Sequence, residues 1–213
     1  MDAEWITQAL ERALEGRRLL DHPFYRRWSA GAVSREELAA YAAQYRHFEA
    51  SLPERLRTIA ATATEPELRE QALRNLEDEA GASPTHVDLF EGFAAALDAP
   101  RTGPTPAMAA LLETYRDATA RGATEGFAAV LAYEAQSPAV AETKAAGLRL
   151  RGTVPESAIA FWDLHAAVDV DHAQWAVQAL ARTAADEEAL TATMREAASV
   201  WWAFLDEREA MAG

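Results

Sequence analysis

Cysteine is absent from the 213 residues. That absence excludes a disulfide framework, a thiolate zinc site and a cysteine nucleophile. Lysine is nearly absent too, with Lys144 alone against 19 arginines, and histidine is scarce at five. No apolar run approaches the roughly 18–20 residues of a membrane span. The opening MDAEWITQALERALEG carries acids where a signal peptide needs cations, and it lacks an apolar centre. Positive charge is in deficit, with 34 acidic against 20 basic residues and a net charge of −14. Such a surface repels phosphate backbones, and no basic stripe offsets it. The expectation is a soluble, cytoplasmic protein with neither a nucleic-acid nor a membrane partner, of a length that suits one domain over residues 1–213.

What is abundant is alanine, 51 residues in all. Alanine is the best helix former and a poor strand former. Helix punctuation recurs along the chain. Asp2 can cap a helix to about Leu20, and Ser34 opens SREE, a capping box with Glu37, before a run to about Ala61 in which Pro53 can introduce a kink. Thr64 and Pro66 start a helix that ends near Gly81, and Ser83–Pro84 start the next. The longest loop falls at Ala99–Pro106, and further helices follow Gly122, the break at Ser137–Pro138, Pro155 (through Arg182) and Asp186 (to about Met211). No segment alternates with period two. The prediction is all-α, a single-domain bundle of seven to eight helices. Adjacent Trp201 and Trp202 suit one ring to the core and the other to a homodimer contact through the last helix.

The histidines carry the chemistry. HAAVDVDH places His165, Asp169 and His172 at steps of four and seven residues, so on a helix all three project within about 60° of one another. Imidazole and carboxylate on one face suit iron, manganese or zinc. NLEDEAGASPTH contains Glu79 and His86, one ending a helix and the other beginning the next, so they meet only if the turn folds back. Glu134 follows the apolar run Val130–Tyr133, where an acid is costly unless paired or bound to a cation. Three carboxylates and three imidazoles on separate helices are enough for two metal ions, as helix bundles commonly arrange. Neither a ferritin-like Glu-x-x-His pair nor HExxH is present.

The order Glu79, His86, Glu134, then His165–Asp169–His172, set in LLDHPFYRRWSAG, LAAYAAQY, NLEDEAG, HVDLF and AYEAQSP, resembles the haem-oxygenase-like dinuclear metal oxidases, and within them the CADD-like group. The likeness covers most of residues 18–180. It implies a haem-oxygenase-like fold, an iron–iron or iron–manganese centre on those six ligands, and dioxygen with an external reductant as co-substrates. It further implies formation of para-aminobenzoate for folate synthesis from the protein's own side chains. The matching ring donor is Tyr25 and the matching amino donor is Lys144, with Tyr41 and Tyr133 matching other tyrosines that line the site. Phe161 stands where the group tends to carry a further tyrosine, which weakens any role proposed for that aromatic.

Lys144 can also be weighed by its chemistry alone. Arginine cannot replace lysine as a nitrogen donor or nucleophile, because its guanidinium stays protonated. Tyr133, next to Glu134 in sequence, points about 100° away from it on an ideal helix and so flanks the site. The alternatives are the same dinuclear oxidase acting on an external amino-acid or fatty-acid substrate, and a non-catalytic interaction protein. The thiaminase relatives need a cysteine, and a haem enzyme needs an axial histidine; His22 precedes Pro23 and is expected to cap or pack instead.

Overall fold

The computed structural model describes residues 2–81 and 83–211, apart from the side chains of residues 168–171. Among the described residues every regular element is helical. Helix α1 (Ala3–Leu14) starts where the Asp2 carboxylate accepts from the Trp5 N–H at 2.8 Å. It stops six residues short of the predicted Leu20. Gly16 takes φ +70°, a left-handed conformation that ends the helix, and a 3₁₀ turn at Leu19–Asp21 follows. Helix α2 (Pro23–Ser29) is capped by His22, whose Nδ1 accepts from the Phe24 N–H while Nε2 lies 3.1 Å from the Asp206 carboxylate.

The Ser34–Glu37 capping box opens α3 (Arg35–Thr62), which continues through Pro53 as one element. Then come α4 (Pro66–Ala80) and α5 (His86–Ala96), the latter opened by a Thr85–Asp88 capping box. Helices α6 (Pro106–Arg121), α7 (Ala123–Glu134) and α8 (Ser137–Arg151) follow. Helix α9 (Ala160–Leu180) starts later than the predicted Pro155, because residues 156–158 close with three-residue bonds: Ala158 N–H to the Pro155 carbonyl at 2.9 Å and Ile159 N–H to Glu156 at 3.0 Å. Asp186 caps α10 (Glu187–Glu209).

The described residues thus form ten α-helices, against the seven or eight expected. The clearest addition is α2, whose seven residues are too few to register as a periodic pattern. No helix among the described residues is long and apolar enough to cross a membrane.

Helix α7 sits at the centre, with every residue from Gly126 to Glu134 buried. A helix that is apolar all round belongs inside a core. Helices α3, α6, α9 and α10 pack around it, while α8 lies along α9 and carries α2. The interior is dense in aromatic rings, among them Trp28, Trp162, Trp201, Tyr25, Tyr41 and Tyr45, all essentially inaccessible. Burial of a side chain of this size stabilises by about 1.5–3 kcal/mol. Trp201 stacks on Tyr133 with ring centres 4.4 Å apart, and half-buried Trp202 packs on the His22 ring at 4.7 Å. Both tryptophans therefore have partners within the chain.

Candidate metal centre

Four helices supply the side chains. Glu79 lies on the last turn of α4 and His86 on the first residue of α5, and the two side chains meet. Glu134 is the final residue of α7, and His165 lies in the first half of α9. Ligand atoms of Glu79, His86 and His165 all fall within 4.8 Å of one another, and all three residues are buried. The His86 Nδ1 is 3.1 Å from a Glu79 carboxylate oxygen, and the two imidazole centres are 4.6 Å apart. His165 donates Nδ1–H to the Phe161 carbonyl at 2.8 Å. That bond sets the tautomer and leaves the Nε2 lone pair available to a cation. Burial, with a smaller contribution from His86, pushes the His165 pKa down to about 3, so the ring is neutral at physiological pH.

Glu134 enters the same cavity and accepts from the Asn75 amide at 3.1 Å on both carboxylate oxygens, and Asn75 in turn accepts from Gln71 at 2.8 Å. The cavity, about 10 Å³, is lined by Glu79, Glu134 and His165 together with Glu49, Phe48 and Tyr133. Tyr133 thus reaches the cavity wall despite its sequence position beside Glu134, because its hydroxyl meets that of Tyr45. His172 is buried but directed to Asp78, its Nε2 donating to that carboxylate at 2.7 Å. It is not in the Glu79–His86–His165 group. The side chain of Asp169 lies outside the described residues.

Beside the cavity lies a second cluster. The Lys144 Nζ donates to the Tyr41 hydroxyl at 2.8 Å, and that oxygen is 2.9 Å from the Tyr25 hydroxyl. The ammonium position is surrounded by rings, with Trp162 at 4.0 Å and Tyr25, Tyr41 and Tyr45 at 4.9–5.0 Å. Ring faces favour a charged ammonium, but complete burial disfavours it more. The Lys144 pKa falls well below the ordinary lysine value, only partly offset by the charge of Glu49. Burial therefore shifts this amine toward the neutral form that nucleophilic attack requires. Burial likewise pushes Tyr25, Tyr41 and Tyr45 above the usual phenol range, keeping their protons in place.

Sequence reasoning missed Glu49, Tyr45, Asn75 and Asp78. Two of them had a signal. Tyr41, Tyr45, Phe48 and Leu52 form an apolar stripe on α3, and Glu49, four residues after Tyr45, is an acid on that stripe. Gln71, Asn75 and Glu79 recur every four residues on α4, which is a polar face turned inward.

A haem-oxygenase-like bundle with a dry carboxylate–imidazole cluster beside its central helix defines a class of metal-dependent oxidoreductase. Comparison with known proteins agrees. A family described as iron-containing redox enzymes matches residues 39–205, and the chain belongs to that family. It is 31% identical to the 4-aminobenzoate synthase of Chlamydia muridarum, over 92% of this chain and 87% of that one. Identity is also 31% with the 4-aminobenzoate synthase of Nitrosomonas europaea, over 97% and 92% of the two chains. A CADD-like protein of Nostoc punctiforme shares the fold, with a TM-score of 0.81 at 18% identity over 99% of this chain and 98% of that one.

Proposed function

We propose that the protein is an oxidase that forms para-aminobenzoate from its own Tyr25, with Lys144 as the amino donor, at a dinuclear iron or iron–manganese centre. The observation that carries this reading is the placement of Lys144. The only lysine in the sequence is fully buried and linked through the Tyr41 hydroxyl to Tyr25. The naming of both relatives as 4-aminobenzoate synthases supports it.

The buried Glu79–His86–His165 group suits a metal ion, which supports the reading. A cation about 2.1 Å from each of its donors holds them roughly 3–3.5 Å apart, and Glu79 and His86 already approach to 3.1 Å. Glu79, His86, Glu134, His165, Asp169 and His172 would hold the two ions, with His172 exchanging its bond to Asp78 for a metal. When bound, the pair supplies the redox chemistry that activates dioxygen with electrons from an external reductant. The chain's own groups do the rest. Asn75 orients the Glu134 carboxylate, the Phe161 carbonyl fixes the His165 tautomer, and Tyr41 holds Lys144 and Tyr25 on one hydroxyl. The aromatic walls keep water out and the amine unprotonated.

The test is to load the full chain with iron, or iron plus manganese, and add reductant and dioxygen. Product is assayed, together with intact mass and peptide maps. Protein labelled with ¹⁵N-lysine should yield labelled para-aminobenzoate, and the peptide containing Tyr25 should lose mass in step with product. Product formed while Tyr25 stays intact would overturn self-consumption and favour a diffusible substrate.

A further inference from the structure

A groove of about 710 Å³ runs between α3 and α6 and shares no lining residue with the cavity at Glu79, Glu134 and His165. Its volume is within the range of small-molecule sites. On α3 it extends from Ser51 to Thr58, and on α6 from Ala109 to Ala120, which lie about 16 Å apart along the helix. The walls are mostly aliphatic, formed by Pro104, Ala109, Leu112 and Ala120. Its described lining residues include no aromatic ring, so a flat ligand finds nothing there to stack on.

One charge in the groove is not balanced. Glu54 pairs with Arg57 at 3.1 Å, and Glu113 pairs with Arg116 at 3.0 Å, which also meets Asp117. Half-buried Arg55 makes no ion pair among the described residues. Its Nε donates to the Ser51 hydroxyl at 3.2 Å and its Nη2 to the Leu112 carbonyl at 3.0 Å, and the guanidinium lies 5.7 Å from the centre of the buried Tyr115 ring. These neutral contacts fix the orientation of the fork without cancelling its charge. Burial, with a smaller push from Arg116, lowers the Arg55 pKa against the pull of Tyr115, a strain that a bound anion relieves. A guanidinium preset in this way binds a carboxylate through parallel hydrogen bonds.

We propose that the groove between α3 and α6 binds an extended aliphatic monocarboxylate, with the carboxylate on Arg55 and the chain along the α6 wall toward Ala120. The length and aliphatic walls of the groove select the chain, and the unbalanced guanidinium selects the head. Affinity therefore rises with the number of methylenes buried. This goes beyond the self-consuming reaction and needs no metal.

The test titrates the metal-free, full-length protein with octanoate and dodecanoate below their micelle concentrations, and with benzoate and octanol. Binding is measured by calorimetry and located by the NMR shifts of the Leu112 methyl groups. Wild type should bind one dodecanoate per chain, octanoate at least ten-fold more weakly, and benzoate and octanol more weakly still. Arg55→Met keeps an aliphatic stem and removes the charge. It should weaken dodecanoate at least ten-fold and leave octanol unchanged. Ala120→Phe, at an exposed position that fills the groove, should also weaken dodecanoate, and it is read alone should Arg55→Met fail to fold. A wild type without saturable dodecanoate binding, or binding that leaves Leu112 unshifted, would overturn the site. Equal affinity in folded Arg55→Met would overturn the role of the guanidinium, and benzoate bound as tightly as dodecanoate would overturn the aliphatic class.

Discussion

The Tyr41 hydroxyl lies between two partners, accepting from the Lys144 Nζ at 2.8 Å and standing 2.9 Å from the Tyr25 hydroxyl. One oxygen therefore fixes the distance between a buried amine and a buried phenol that lie 119 positions apart in the chain. Tyr41→Phe removes that oxygen while keeping the ring. It should cost about 1–3 kcal/mol of stability through the polar groups left unmet, measured by denaturant unfolding. Para-aminobenzoate yield in the aerobic assay should fall with it.

Lys144 makes stability depend on pH in a definite direction. The unfolded chain binds a proton at this residue below about pH 10.4, and the folded chain does not until a much lower pH, because burial holds the amine neutral. The unfolded state thus binds more protons throughout that window, so stability falls as pH is lowered through it. Lys144→Met abolishes the penalty. The variant should be more stable than wild type near pH 7, with a gain that shrinks as pH approaches 10. Thermal unfolding of both proteins between pH 7 and 10 checks it, and a gain independent of pH would contradict the neutral buried amine.

Asn75 touches both oxygens of Glu134 without being a candidate ligand. Loss of a partner that orients a ligand typically weakens metal binding 10–100-fold. Asn75→Leu should show a loss in that range by chelator competition, with the helix content of the metal-free protein unchanged.

Gly147 marks the contact between α8 and α2. A Cβ added there would lie 2.2 Å from the Trp28 carbonyl oxygen and 2.8 Å from the Trp28 ring. Because the nearest obstacle is backbone, one of the helices must move. Trp28 also donates its indole N–H to the Lys144 carbonyl at 3.1 Å, so the shift reaches the amine. Gly147→Ala should destabilise by about 1–3 kcal/mol, a drop of roughly 2–4 °C in Tm for each kcal/mol.

Much of this was legible in the primary sequence, and the reason is range. The Ser34–Glu37 box, the Asp186 cap and the helical spacing of His165, Asp169 and His172 are local features, settled within one or two turns. The meeting of Glu79 and His86 was legible only as a possibility that hung on the turn between their helices. Glu49 and Tyr45 could be read as inward-facing positions of α3 but not as site residues, since nothing within α3 says which helix its inner stripe faces. His172 shows the same limit from the other side. Its helical phase was readable, but its bond to Asp78 depends on how α4 crosses α9.

The chain's alanine content, its caps and its scarcity of lysine, histidine and cysteine determined an all-helical protein with one possible amine nucleophile and a nitrogen–oxygen ligand set. Those are properties of composition and short-range periodicity. Only the tertiary structure decided that the amine is buried against Tyr41 and Tyr25, that Tyr133 reaches the cavity, and that Glu49 joins Glu79, Glu134 and His165 around it. Each of those facts depends on the angle and register at which separate helices cross, and these follow from the packing of the whole core rather than from any one segment.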